Sequence, residues 1–126
     1  MSRETKYRVY DKKEICYSDK AFSIDQLGIC YVQDEDGYWE EIDEERYIVE
    51  QYTGLKDKNG KEIYEGDIVE FGLSGRAERG YVAYADEYAS FEVYSKRDFI
   101  FGCLFGHAGN VIGNIHENSE LLGGEE

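Results

Sequence analysis

The chain has 126 residues, 14 of them basic and 28 acidic, for a formal net charge of −14. That charge repels nucleic-acid phosphates and anionic membrane surfaces, while 41% hydrophobic and 15% aromatic residues are too many for a disordered acidic tail. No stretch approaches the roughly 18 to 20 apolar residues of a membrane helix, and the opening Met-Ser-Arg-Glu-Thr-Lys-Tyr lacks the apolar core of a signal peptide. A soluble, cytoplasmic, acidic globular protein is therefore expected.

In chain order, apolar residues recur with period two more often than 3.6. Tyr7 and Val9 alternate with Arg8 and Tyr10, and Ile15 to Tyr17 follows the charged turn Asp11-Lys12-Lys13-Glu14, which reads as a hairpin. Ala21 to Ile24 and Gly28 to Val32 are further strands, and Asp34-Glu35-Asp36-Gly37 is a turn whose glycine can take positive φ. Tyr38-Trp39 opens another short strand, Glu40 to Glu45 reads as a short helical turn or a charged loop, and Ile48 to Thr53 returns to strand. A polar, glycine-bracketed stretch from Gly54 to Gly60 follows, with Asn59-Gly60 a strong two-residue hairpin signal of type I′. Glu65-Gly66 is a second turn, closed by Asp67 bonding backbone amides. Beyond it lie the strand Asp67 to Phe71, a loop at Leu73 to Glu78, and strands at Gly80 to Tyr84 and Phe91 to Tyr94. An apolar run, Phe99 to Phe105, and a last strand, Val111 to Ile115, complete the order.

Five short strands between Lys61 and Leu122, with glycine at most turns, suit a small SH3-like barrel. The expected fold is mostly β: an N-terminal antiparallel meander (1–53) packed on a C-terminal SH3-like barrel (54–122), with a tail at 123–126. The absence of proline accords with a strand-rich chain.

Chemistry-bearing motifs are sparse. Cys16, Cys30 and Cys103 have no CxxC or metal-knuckle spacing, and Cys16 and Cys30 read as buried small hydrophobes. Cys103 with His107 lacks an orienting third group, and His107 and His116 are not spaced as a helical zinc pair. There is no GxSxG, no GxxxxGK[ST] and no HExxH. No catalytic residue, cofactor or metal site is expected. Asp34, Asp36 and Glu40 miss the EF-hand pattern and read as a solvated turn. Basic residues at Arg3, Lys6, Arg8, Lys12 and Lys13, and at Lys56, Lys58 and Lys61, read as solvated charges. The opposite pole is denser: between Asp34 and Glu50 nine carboxylates face Arg46 alone, a net of eight negative charges. Asp34, Asp36, Glu40, Glu41, Glu44 and Glu45 are the candidate interaction surface.

The stretch Gln51-Tyr52-Thr53-Gly54-Leu55-Lys56-Asp57-Lys58-Asn59-Gly60-Lys61-Glu62-Ile63-Tyr64-Glu65-Gly66-Asp67-Ile68-Val69 resembles the signature of the YopX-like family of bacteriophage and prophage proteins. Lys6 to Asp11 is similar to that family's opening strand, and Val111 to Asn118 to its closing strand and turn; Lys20 to Glu50 resembles it least. The resemblance implies a mostly β fold with an SH3-like barrel, a phage or prophage origin, and no catalytic role for any residue.

The first expectation for function is a non-enzymatic accessory protein that binds another protein, with self-association through tyrosines such as Tyr81, Tyr84, Tyr88 and Tyr94. The alternative is an acidic mimic of nucleic acid, carried by Asp34 to Glu50, that occupies a nucleic-acid-binding site on a host protein. A third reading is a small hydrolase or nuclease in which that acidic cluster holds a divalent ion.

Overall fold

The computed structural model describes residues 5–104 and 109–122. It is built almost wholly of antiparallel strands, with no α-helix among the described residues. The chain divides into two compact units: Arg8–Glu50, and Met1–Tyr7 together with Gln51–Glu126.

In the Arg8–Glu50 unit, β1 (Tyr7–Asp11) pairs with β2 (Cys16–Tyr17) as the sequence predicts, with Tyr10 opposite Tyr17 and Asp11 opposite Cys16. β3 (Phe22–Ile24), β4 (Cys30–Gln33) and β5 (Trp39–Glu41) form a three-stranded meander. β6 (Tyr47–Lys56) is longer than the Ile48–Thr53 strand expected. Val9, Tyr10, Cys30 and Tyr47 are buried, and Phe22 meets the Tyr47 ring edge-on at 5.7 Å. Cys30 is thus the small core residue its neighbours predict, and burial pushes its thiol pKa up. Cys16 is exposed, contrary to expectation, because its short strand places it outward beside the hairpin turn.

Asp11 holds that hairpin in place. Its carboxylate accepts the Lys13 and Glu14 backbone amides at 3.0 and 3.2 Å, and takes the Arg46 guanidinium in a fork at 2.9 and 2.8 Å. Asp11 is 1% exposed, and Arg46, with those amides, holds its pKa well below the ordinary aspartate range. The buried Glu50 accepts Arg8 Nε and the Tyr17 hydroxyl, each at 2.8 Å.

In the second unit β6 runs on through Gly54, where the sequence reads as loop. Gly54 takes φ +89° and the register with β7 (Glu62–Tyr64) shifts between the pairs Tyr52–Tyr64 and Lys56–Glu62. A bulge lets a glycine stay inside a strand. The chain then makes β8 (Asp67–Leu73), β9 (Arg76–Ala85), β10 (Ser90–Tyr94), β11 (Ile100–Cys103) and β12 (Asn110–Asn114). These five form one curled, half-barrel sheet in the order β11-β10-β9-β8-β12. Ile63, Val69, Phe71, Val82, Val93 and Leu104 are its core.

Two turns differ from expectation. Leu73 to Glu78 is read from sequence as a loop, yet Leu73 pairs with Arg76 across a two-residue connection in which Ser74 and Gly75 both take positive φ (53° and 82°). That is the geometry of a type I′ hairpin. At Asn59-Gly60, where type I′ is expected, only Gly60 has positive φ. There the Gly60 amide donates to the Asp57 carbonyl at 3.0 Å, and the Asp57 amide to the Lys61 carbonyl at 2.8 Å, giving a three-residue loop with a glycine bulge.

Asp57 is why. Its Oδ1 accepts the Asn59 and Lys61 amides at 2.8 and 2.9 Å, and its Oδ2 accepts the Val111 amide of β12 at 2.9 Å. The same local pattern closes three more hairpins, at Asp25–Ile29, Asp34–Tyr38 and Ser95–Phe99. Asp67 caps the neighbouring turn as predicted, accepting the Tyr64 amide at 2.8 Å.

Replacing Asp57 by Ala leaves three backbone amides short of an acceptor, and should cost about 2 kcal/mol of stability by denaturant unfolding; an effect below about 0.5 kcal/mol would remove Asp57 from this role. The pKa values of Asp11, Asp25 and Asp57 all lie below the ordinary range in the folded chain. Their contribution is therefore complete above the unfolded-state value near pH 4, and is lost as pH falls through the lower folded values. Melting temperature should be flat from about pH 8 to 5 and drop below about pH 4, the drop being smaller in D57N than in the parent chain.

Candidate functional site

The structure divides the acidic segment into carboxylates that bond to the fold (Asp34 and Asp43, both still exposed, and the buried Glu50) and carboxylates that only face water. Asp34 closes its own turn: its Oδ1 accepts the Asp36 and Tyr38 amides, both at 2.9 Å, with Gly37 at φ +92°. Asp43 accepts the Glu45 amide at 2.9 Å through its side chain, and the Arg46 and Tyr47 amides through its carbonyl. Glu50 is buried. Glu35, Asp36, Glu40, Glu41, Glu44 and Glu45 are exposed. The Glu40–Glu45 stretch is strand at Glu40 and Glu41, with only residues 44–46 turning, because both glutamates pair in register with β4.

The sequence-predicted site residues are not all brought together. Asp34, Glu40 and Glu41 line a cavity of about 230 Å³, together with Lys20, Asp43, Arg46 and Tyr47. Glu45 lines a second cavity of about 470 Å³, with Lys12, Lys13, Asp43 and Arg46. Asp36 and Glu44 line neither. Both cavities therefore mix charge signs. Arg46 is shared by them, but its guanidinium is committed to Asp11 and lies over the Tyr47 ring at 4.8 Å. Lys20 Nζ reaches the Tyr47 hydroxyl at 3.2 Å.

Asp34, Asp36 and Glu40 do not converge on a cation: among the described residues no group of three His, Cys, Asp or Glu side chains is placed to hold a metal ion. Cys103 is exposed, and His107 lies outside the described residues. Of the basic residues, Lys6 pairs with Glu62 and Arg8 with Glu50, while Arg3 lies outside the described residues. Tyr81 and Tyr94 stack on each other at 5.4 Å, leaving Tyr84 and Tyr88 as the more exposed members of that set.

Sequence reasoning placed the charge but passed over the aromatic residues beside it. Register puts Phe22, Val32 and Glu40 on one face of the meander, the side of Tyr47, and Ser23, Tyr31, Gln33, Trp39 and Glu41 on the other. Trp39 is 48% exposed and its neighbour Tyr38 is 73% exposed. The Tyr31 hydroxyl donates to Asp25 at 3.1 Å, which, with burial and the nearby Glu41 charge, raises its pKa. The signal was present as Trp39-Glu40-Glu41, where period two places the tryptophan and the second glutamate together.

The class is that of mostly β, antiparallel proteins with a curled half-barrel sheet. The family model described as YopX protein matches residues 6–123, and the chain belongs to that family. Among solved structures, it is similar to protein EF1440 from Enterococcus faecalis, with 32% identity, a TM-score of 0.60, and coverage of 97% of this chain and 100% of that one. The fold also resembles that of protein YopX from Bacillus subtilis, with 21% identity, the same coverages and a TM-score of 0.60. No curated protein matches.

If turn closure and surface charge are separate roles, Asp34→Ala should destabilise the chain by about 1 kcal/mol, whereas Glu44→Gln should stay within about 0.5 kcal/mol of the parent. Equal effects in chemical unfolding would contradict the division.

Proposed function

We propose that this chain is a non-enzymatic accessory protein of phage or prophage origin that acts in the bacterial cytoplasm by binding another protein. The observation that carries this reading is Trp39, held half in water on a sheet face beside Glu41 and next to the exposed Tyr38. A large aromatic kept out of the core gives up the apolar burial, about 25 cal/mol per Å², that it would otherwise contribute. Trp and Tyr are the residues interfaces use most, since they offer a broad contact area with few rotamers to freeze. The five strands β8 to β12 have the order and turn spacing that support an SH3-like barrel as the second unit, a scaffold suited to presenting loops and edges. Self-association through Tyr84 and Tyr88 belongs to the same reading.

A second reading is favoured by the exposed carboxylates Glu35, Asp36, Glu40, Glu41, Glu44 and Glu45. Exposed at this density along one segment, they mimic phosphate charge and compete for a nucleic-acid-binding site on a host protein.

Capture from nuclease-treated host lysate, followed by mass spectrometry, tests both. Under the first reading a specific protein is retained by the parent and by the E44Q/E45Q double variant, and is lost with W39A. Under the second it is lost with E44Q/E45Q and falls steeply with salt. Failure to enrich any protein over an acid-matched control would count against both.

A further inference from the structure

β5 is an edge strand: in the order β3-β4-β5 no described strand pairs with its far side. Its backbone is poised to accept one. The Tyr38 carbonyl accepts the Asp34 amide at 2.8 Å, and the Ile42 amide donates to the Cys30 carbonyl at 3.0 Å, so the even-numbered residues face β4. By the alternation of an antiparallel ladder, the amides and carbonyls of Trp39 and Glu41 point away from β4, along the free edge. All three residues of β5 are exposed.

The residues that offer their backbone are the ones whose side chains share the outer face. A strand added to this edge would set its own side chains directly opposite Trp39 and Glu41, at the separation of an ordinary cross-strand pair. An aromatic face attracts a cation, and a carboxylate two residues on attracts it again. β3, β4 and β5 contain no Lys or Arg, and the two cations that share a cavity with Glu41, Lys20 and Arg46, are bonded to the Tyr47 hydroxyl and to Asp11. A second copy of β5 is disfavoured, since antiparallel pairing centred on Glu40 would set Glu40 opposite Glu40.

From this juxtaposition we infer that β5 takes up an extended cationic segment of a partner protein, adding it as a fourth strand with Lys or Arg at every second position over Trp39 and Glu41. The inference rests on the protein-binding reading and names the chemistry of the partner: a basic, alternating β-strand, recognised by main-chain pairing for affinity and by side chains for specificity.

The chain contains one tryptophan among twelve tyrosines, so emission excited selectively at the red edge of tryptophan absorption reports on this face. The full-length protein is titrated with a seven-residue peptide alternating Thr and Lys, and with its Thr-Glu counterpart. The Lys peptide should shift the Trp39 emission saturably and the Glu peptide should not. Glu41→Gln should weaken binding about five- to tenfold, whereas Glu44→Gln, which removes the same charge off the strand, should change it less than about twofold. On binding, the Trp39 and Glu41 amides should gain protection from hydrogen exchange. Equal weakening by E41Q and E44Q would reduce the effect to bulk charge and overturn the proposal, as would an unchanged Trp39 spectrum at millimolar peptide. If the peptide fails while the chain still captures a protein from lysate, the β5 proposal falls and the protein-binding reading stands.

Discussion

A short side chain accepting backbone amides two and four residues ahead closes four hairpins of this protein, and much of the structure depends on it. The chain has no proline to preset a turn and twelve described strands to connect. Asp25, Asp34, Asp57 and Ser95 each satisfy amides that a tight loop would otherwise leave open to solvent. Asp57 does more than its siblings, because its second oxygen takes the Val111 amide and ties a local turn to a strand 54 residues away. Gly60, at φ +85° in open space, supplies the left-handed residue this loop needs, so a side chain there would be strained by backbone rather than by crowding.

Seen through these turns, part of the acidity is architecture. Asp11, Asp25, Asp34, Asp43, Asp57 and Asp67 all accept backbone amides. Glu, whose longer side chain is less suited to such local closure, makes up most of the exposed remainder of the acidic segment: Glu35, Glu40, Glu41, Glu44 and Glu45. Asp36 is the aspartate left over. Of the six aspartates that accept amides, Asp11, Asp57 and Asp67 are buried and leave the surface, whereas Asp34 and Asp43 bond the backbone and still face water.

The cavities beside the acidic segment illustrate the same point from the cation side. Arg46 contributes to both, yet it is spent on Asp11, and Lys20 is turned to the Tyr47 hydroxyl. Among the described residues neither cavity has a group of three His, Cys, Asp or Glu side chains placed to hold a metal ion. What is distinctive lies on the opposite face of the meander, where Trp39 and Glu41 meet an unpaired strand edge.

Much of this was written in local sequence. Period-two alternation located most strands, and glycine-containing turn signals at Asp34–Gly37, Asn59-Gly60 and Glu65-Gly66 located turns, because each depends only on neighbours along the chain. Local sequence could not choose between turn types at Asn59-Gly60 and Ser74-Gly75, since Asp57 is anchored by an amide from a distant strand. Nor could it sort the carboxylates or bury Cys30 while exposing Cys16. Strand register across β3, β4 and β5 decides which side chains share a face, and register belongs to the sheet rather than to any one strand. The amino-acid sequence thus determined an acidic, antiparallel, turn-rich protein of the YopX family and the alternation that pairs Trp39 with Glu41; only the tertiary structure put their strand at the edge of a sheet, because strand order is set by pairing between distant segments.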